Sequence, residues 1–213
     1  MNIIQFDAYH GTNEDCANEI VKTSNFIISK KRKDHWLGYG NYFFRDDPEQ
    51  ALLWAKSRYK DVEAIHKVLE VSVKLNRKHY LNLDSRSGIE TLNRICIELD
   101  IIRKMRISGG KINTPEFACF FFSMLDPEIY WVIFRTFDVK TKRTLPIVDS
   151  LGFESGNNLV TFNMHGAQVC VRNDKAIQNN SISLYNFDTI SISKDIPIGL
   201  IHRRGRHGKR VIK

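Results

Sequence analysis

Trp36-Leu37-Gly38-Tyr39-Gly40-Asn41-Tyr42-Phe43-Phe44 places two glycines directly before an aromatic run. Gly38 and Gly40 relax the backbone, and Asn41 to Phe44 has the composition of a strand. Just downstream, Asp46 or Asp47 with Pro48 opens a helix, because Asp accepts from first-turn amides and Pro forfeits no bond there. That helix presents Ala51, Leu52, Trp54 and Ala55 and runs to about Tyr59. Upstream, Ile3 to Tyr9 is an apolar and aromatic run that reads as a strand feeding a tight turn at His10-Gly11-Thr12. A helix capped by Asn13 or Thr12 follows, with Cys16, Ala17, Ile20 and Val21 at helical spacing to about residue 23.

Further out, Phe26 to Ile28 suggests a brief strand, and Lys30 to His35 is a polar, cationic loop. Leu69, Val71, Val73 and Leu75 alternate with polar residues, the period of a half-buried strand, and Tyr80 to Leu83 is a shorter one. From Ser87 to about Met105, apolar residues at helical spacing predict a long amphipathic helix. Thr114-Pro115-Glu116 starts a second helix holding Phe117 to Leu125, which Asp126-Pro127 stops. Ile129 to Phe137 fits a buried strand or a helix, and its aromatic and β-branched content favours the strand. Leu159 to Phe162, Gln168 to Arg172, Ile182 to Leu184 and Thr189 to Ile192 are further strands. The sum is an α+β fold with no internal repeat.

The 213 residues carry 32 Lys and Arg against 24 Asp and Glu, a net +8 with neutral His. With 42% hydrophobic and 26% charged residues the chain is globular, which excludes general disorder, collagen and coiled coil. One domain over residues 1–201 is expected, with a helical insertion at about 85–126 and a distinct tail at 202–213. The tail holds Arg203, Arg204, Arg206, Lys209, Arg210 and Lys213 and no acid, so it carries +6 of the +8. Such a cluster suits RNA or another polyanion, or an acidic partner protein; a solvated terminus has the same composition. Cys16, Cys96, Cys119 and Cys170 lack metal-ligand spacing, so no metal is expected. No signal peptide and no spanning helix is predicted, which makes a cytoplasmic protein with reduced thiols the expectation.

Three stretches in order, Tyr9-His10-Gly11-Thr12, Trp36 to Phe44 and Ala51-Leu52-Leu53-Trp54-Ala55, together resemble the NAD-binding core of the ADP-ribosyltransferase superfamily, on the branch of the poly-ADP-ribose polymerases. The resemblance covers residues 9–55 and, more loosely, 166–177. It implies a split β-sheet core with flanking helices and NAD as substrate. By that resemblance His10 bonds the adenosine ribose, Gly11 offers its backbone to the nicotinamide carboxamide, and Thr12 assists or caps the following helix. Tyr42 lines the nicotinamide side of the cleft, and Trp54, one residue beyond the family spacing, is the second aromatic.

Gln168 stands where the family usually has a Glu. A carboxylate would stabilise the positive charge of an oxocarbenium-like transition state, whereas neutral Gln accepts and orients with less electrostatic help. The resemblance therefore implies transfer of a single ADP-ribose unit, or hydrolysis of NAD, rather than chain elongation. Arg172 and Asn173 would contact phosphate or acceptor, or simply end a strand.

Small bacterial transferases of this kind serve as toxins in toxin–antitoxin and phage-defence systems. The partners implied are NAD, an RNA or DNA acceptor and an antitoxin protein, with no membrane. The basic tail favours a nucleic-acid acceptor; a protein acceptor, NAD hydrolysis and a non-catalytic nucleotide-binding or RNA-binding module are the alternatives. An RNA 2′-phosphotransferase shares His-Gly-Thr but carries basic anchors ahead of it, and none of residues 1–8 is basic.

Overall fold

A computed structural model describes residues 2–26, 35–59, 65–101, 103, 115–138 and 165–187. Among the described residues seven strands form one mixed sheet: β1 (Ile3–Asn13), β2 (Asn41–Arg45), β3 (His66–Asn76), β4 (Tyr80–Asn82), β5 (Val132–Asp138), β6 (His165–Val171) and β7 (Ser183–Leu184). Their order across the sheet is β4-β5-β6-β2-β1-β3-β7. Only β4 and β5 run parallel; every other neighbouring pair is antiparallel. Among the described residues, helices α1 (Glu14–Thr23), α2 (Pro48–Arg58), α3 (Arg86–Glu98) and α4 (Pro115–Ser123) flank the sheet. The expected α+β class is observed.

Alternation along the strands divides the core in two. One face carries Phe6, Ala8, Phe43, Leu69, Val71, Val73, Val132, Val169 and Val171, packed with Ala17 of α1 and with Phe26. On the other face Leu81, Ile133 and Cys170 pack under Phe121, Phe122 and Leu125 of α4 and its C-terminal turn. Beside them on that second face, Tyr9, Phe44 and Val68 lie under Ala51 of α2. Helix α2 can sit this close because its sheet-facing residues are the small Ala51 and Ala55, one turn apart and both fully buried.

The helix starts follow the local chemistry. Asn13 Oδ1 accepts from the Cys16 amide and Asp47 Oδ1 from the Gln50 amide, so Asn13 rather than Thr12 caps α1. Ser85 caps α3, its Oγ accepting from the Gly88 amide. The Ile129–Phe137 stretch resolves in favour of the strand, β5, after a turn that Asp126 begins.

Two expectations are corrected. His10-Gly11-Thr12 does not turn: β1 continues to Asn13, because β3 pairs with it along the whole length from Ile3 opposite Asn76 to Asn13 opposite His66. The long helix expected to reach about Met105 ends at Glu98, where Leu99 caps it and Asp100 takes a left-handed φ of 48°. The segments Ile27–Ile28, Leu159–Phe162, Thr189–Ile192 and the basic tail with Arg203, Arg204, Arg206, Lys209 and Arg210 lie outside the described residues.

Candidate active site

The centre of the sheet is split. Strand β1 stays with β3 throughout, but its register with β2 comprises only Ala8 opposite Arg45 and Tyr9 opposite Phe44. Beyond Tyr9 the ladder to β2 stops.

Three backbone bonds fix which way β1 presents its polar groups beyond that point. The Arg77 amide donates to Asn2 O and the Glu14 amide to Ile65 O, so the even-numbered residues of β1 turn their N–H and C=O toward β3. The Asp46 amide donates to Asp7 O, so the odd-numbered ones turn toward β2. By that alternation the N–H and C=O of Gly11 point into the split. Had the ladder continued, the Gly11 amide would have bonded Tyr42 O.

His10 takes that acceptor instead. Its Nδ1 lies 2.8 Å from Tyr42 O, and a carbonyl only accepts, so Nδ1 carries the proton and Nε2 is the acceptor of the neutral ring. The ring lies edge-on to Phe26 at 5.6 Å between centroids and tilted against Phe43, also at 5.6 Å. Desolvation by this apolar surround lowers the His10 pKa from its usual 6.5, against a smaller opposing effect of the bond to Tyr42. A neutral imidazole with a bare Nε2 is suited to accept from a hydroxyl.

Tyr42 projects to the opposite face of the sheet. Its hydroxyl accepts from the Leu37 amide and donates to Gly38 O, both at 2.8 Å, which locks the phenol into the turn that precedes β2. Burial raises its pKa well above the ordinary phenol value. Gly38 holds φ +83° in that turn, and a Cβ there would stand 2.9 Å from Phe122, so glycine is required twice over. Cys170, opposite Tyr42 on β6, is buried, and that burial pushes its thiol up to about 12.

Gly11 owes its identity to α2. A Cβ on it would lie 1.9 Å from the backbone oxygen of Ala51 and 3.2 Å from the Ala55 side chain. Its flank is thus closed by the helix while its polar edge faces the split. Thr12 is buried, with Oγ1 3.4 Å from the Tyr59 hydroxyl at the end of α2.

The contacts bring together His10, Gly11, Thr12 and the Tyr42 backbone. Gln168 lies two pairs further along β6 from the Tyr42–Cys170 pair, opposite Phe44 of β2 and Arg135 of β5, on the same face as Tyr42. Trp54 stands 46% exposed beside Ala55, and among the described residues no ring contact joins it to His10 or Tyr42. Arg172 is drawn off: its Nη2 donates to Leu125 O at 2.7 Å, closing the C-terminal turn after α4. Asn173 donates to Glu128 Oε1.

Phe26 and Tyr59 were not singled out by the sequence as site residues. Tyr59 follows Ala51 and Ala55 at four-residue steps, a periodicity that does mark it as part of the sheet-facing stripe. Phe26 carries no such signal, since its place beside His10 depends on how the chain after α1 crosses the sheet.

Among the described residues no three His, Cys, Asp or Glu side chains converge as a metal site, and no helix is long and apolar enough to cross a membrane. No protein-family model, curated protein or solved structure matches the chain.

Proposed function

We propose that the chain is an NAD-dependent mono-ADP-ribosyltransferase with a His-Tyr-Gln site, acting on nucleic acid with RNA favoured, of the kind used as bacterial toxins or phage-defence effectors. The observation that carries this reading is the split beside Gly11, with His10 holding the Tyr42 carbonyl that the ladder would otherwise use. A primary carboxamide presents one acceptor and a pair of donors, which complement a single backbone N–H and C=O turned outward together. Nicotinamide bears such a group, and the bare Nε2 of His10 would accept from a ribose hydroxyl alongside.

In the reaction, the bond between nicotinamide N1 and ribose C1′ breaks, and its electron pair leaves with neutral nicotinamide. A nucleophilic oxygen or nitrogen of the acceptor bonds C1′ and gives its proton to solvent or a base. The side chains orient the ribose and exclude water; the leaving group is already activated by its positive charge. Gln168 supplies an amide oxygen on the Tyr42 face in place of a carboxylate, which fits single transfer better than chain growth.

Incubation of the protein with labelled NAD and separate pools of RNA, DNA and protein tests the reading, beside a His10→Ala control. Label in RNA that vanishes with the control supports it, and label in protein redirects the acceptor. Free ADP-ribose alone indicates a glycohydrolase. No NAD consumption in any pool removes the catalytic reading.

A further inference from the structure

The row of Gln168 continues outward into an exposed aromatic and cationic surface. Arg135 faces Gln168 across β5 and β6, and the next residue of β5 on the same face, Phe137, lies opposite Gly166, which raises no side chain. The turn before β2 lays Trp36 against Phe137, ring centroids 5.7 Å apart at 65°. Trp36 nevertheless stays 50% exposed. Arg135 is exposed as well, its guanidinium 5.5 Å from the Phe137 centroid. Among the described residues no carboxylate pairs with Arg135.

An indole left half in water gains free energy when a flat apolar partner covers it. A guanidinium without a carboxylate beside it selects a partner that is anionic as well as flat. Unstacked nucleobases on a phosphate backbone combine the two properties, and aromatic rings with Arg are the side chains that hold them.

We propose that Trp36, Phe137 and Arg135 form a docking platform for single-stranded nucleic acid, with a base stacked on Trp36 and a phosphate held by Arg135. On the transferase reading, the docked strand is the acceptor, delivered to the edge of the Gln168 row. The naming of the strand as acceptor rests on that reading; the binding does not.

Fluorescence anisotropy of labelled single strands of about 12 nucleotides, RNA and DNA of one sequence, tests this with the full chain and no NAD. Salt of about 0.3 M suppresses the purely electrostatic contribution of the basic tail. Trp36→Ala weakens binding of the single strand about tenfold, and Trp36→Phe restores most of it. Arg135→Gln weakens it less and lowers the salt slope by about one. A duplex of the same sequence, whose bases are already stacked, is indifferent to Trp36→Ala. Equal losses for RNA and DNA assign recognition to base and phosphate, and a loss confined to RNA adds the 2′-hydroxyl.

Unchanged affinity of a folded Trp36→Ala chain overturns the proposal. So does photocross-linking of the wild-type protein to a thiouridine strand if the adducts avoid Trp36 and Phe137, a readout that needs no variant. Strand binding that depends on Trp36 without NAD consumption keeps the platform and removes the transferase. NAD consumption with binding indifferent to Trp36 does the reverse.

Discussion

The His10 ring bonds the Tyr42 carbonyl at 2.8 Å across the very gap where β1 and β2 cease to pair. A side chain thereby satisfies an acceptor that a backbone amide would have used, and the amide of Gly11 is left facing the opening. The same bond fixes the imidazole as its Nδ1–H form. Ladder, tautomer and open backbone edge are consequences of one contact.

On the transferase reading, removing that contact separates catalysis from folding. His10→Ala is expected to lower nicotinamide release from NAD about hundredfold, the scale of a misplaced reacting group. His10→Gln, whose amide reaches toward Tyr42 O as a donor, keeps thermal stability near wild type and recovers only part of the activity. Rates close to wild type in both variants would remove His10 from the site.

The pH dependence of stability follows from the same ring. Because the folded state lowers the His10 pKa below 6.5, the unfolded chain binds the proton more readily in that region. The neutral ring's contribution is complete above 6.5 and is lost as the pH falls through the lower folded value. Denaturant unfolding from pH 8 downward should show wild type losing more stability than His10→Gln below about 6.5. Parallel curves for the two proteins would contradict this origin.

Gly11 is predicted to be intolerant of even one carbon. Its Cβ would meet the Ala51 backbone oxygen at 1.9 Å, so Gly11→Ala must push α2 off the sheet. A loss of about 3 kcal/mol is expected in chemical denaturation. Ala51→Gly does not rescue it, because the obstructing atom belongs to the backbone; rescue would mean that α2 packs differently.

How far the sequence foretold this arrangement depended on the range of the interactions. Asn13 and Asp47 cap by bonds to amides three residues on, and such local chemistry is written in adjacent residues. The end of β1 was misread because glycine after a strand usually signals a turn, whereas here Gly11 admits a helix from a different part of the chain. The extent of α3 was misread because apolar spacing persists past Leu99, while Asp100 breaks the backbone in a conformation that periodicity does not encode. The split, and Phe26 against His10, are long-range outcomes of strand order and crossing paths. His10, Gly11 and Tyr42 could be named from their order in the chain, but their hydrogen-bonding roles could not.

Trp54 gives a clean division between packing and binding. An exposed side chain of this kind is expected to cost less than about 0.5 kcal/mol when removed. Trp54→Ala should therefore unfold like wild type. If the indole closes over nicotinamide, KM for NAD rises several-fold at similar stability. Unchanged kinetics would make it an ordinary surface residue and point to another ring as the second wall of the cleft.

On the transferase reading, Gln168 is where substitution can improve the chemistry. It stands between Phe44 and Arg135, so a carboxylate introduced there has a cationic neighbour on its β5 side to offset the apolar ring on its β2 side, and the fold should tolerate it. A negative charge near the ribose stabilises an oxocarbenium-like transition state more than the bound ground state, which raises kcat with little change in KM. Gln168→Glu is thus expected to speed nicotinamide release about tenfold, and Gln168→Ala to slow it by a similar factor. Because Arg135 partly neutralises the new charge, Arg135→Gln in the Gln168→Glu background should increase the gain further. If Gln168→Glu and Gln168→Ala both leave the rate of nicotinamide release unchanged, the residue lies outside the reacting region, and the cleft must be sought on the His10 face alone.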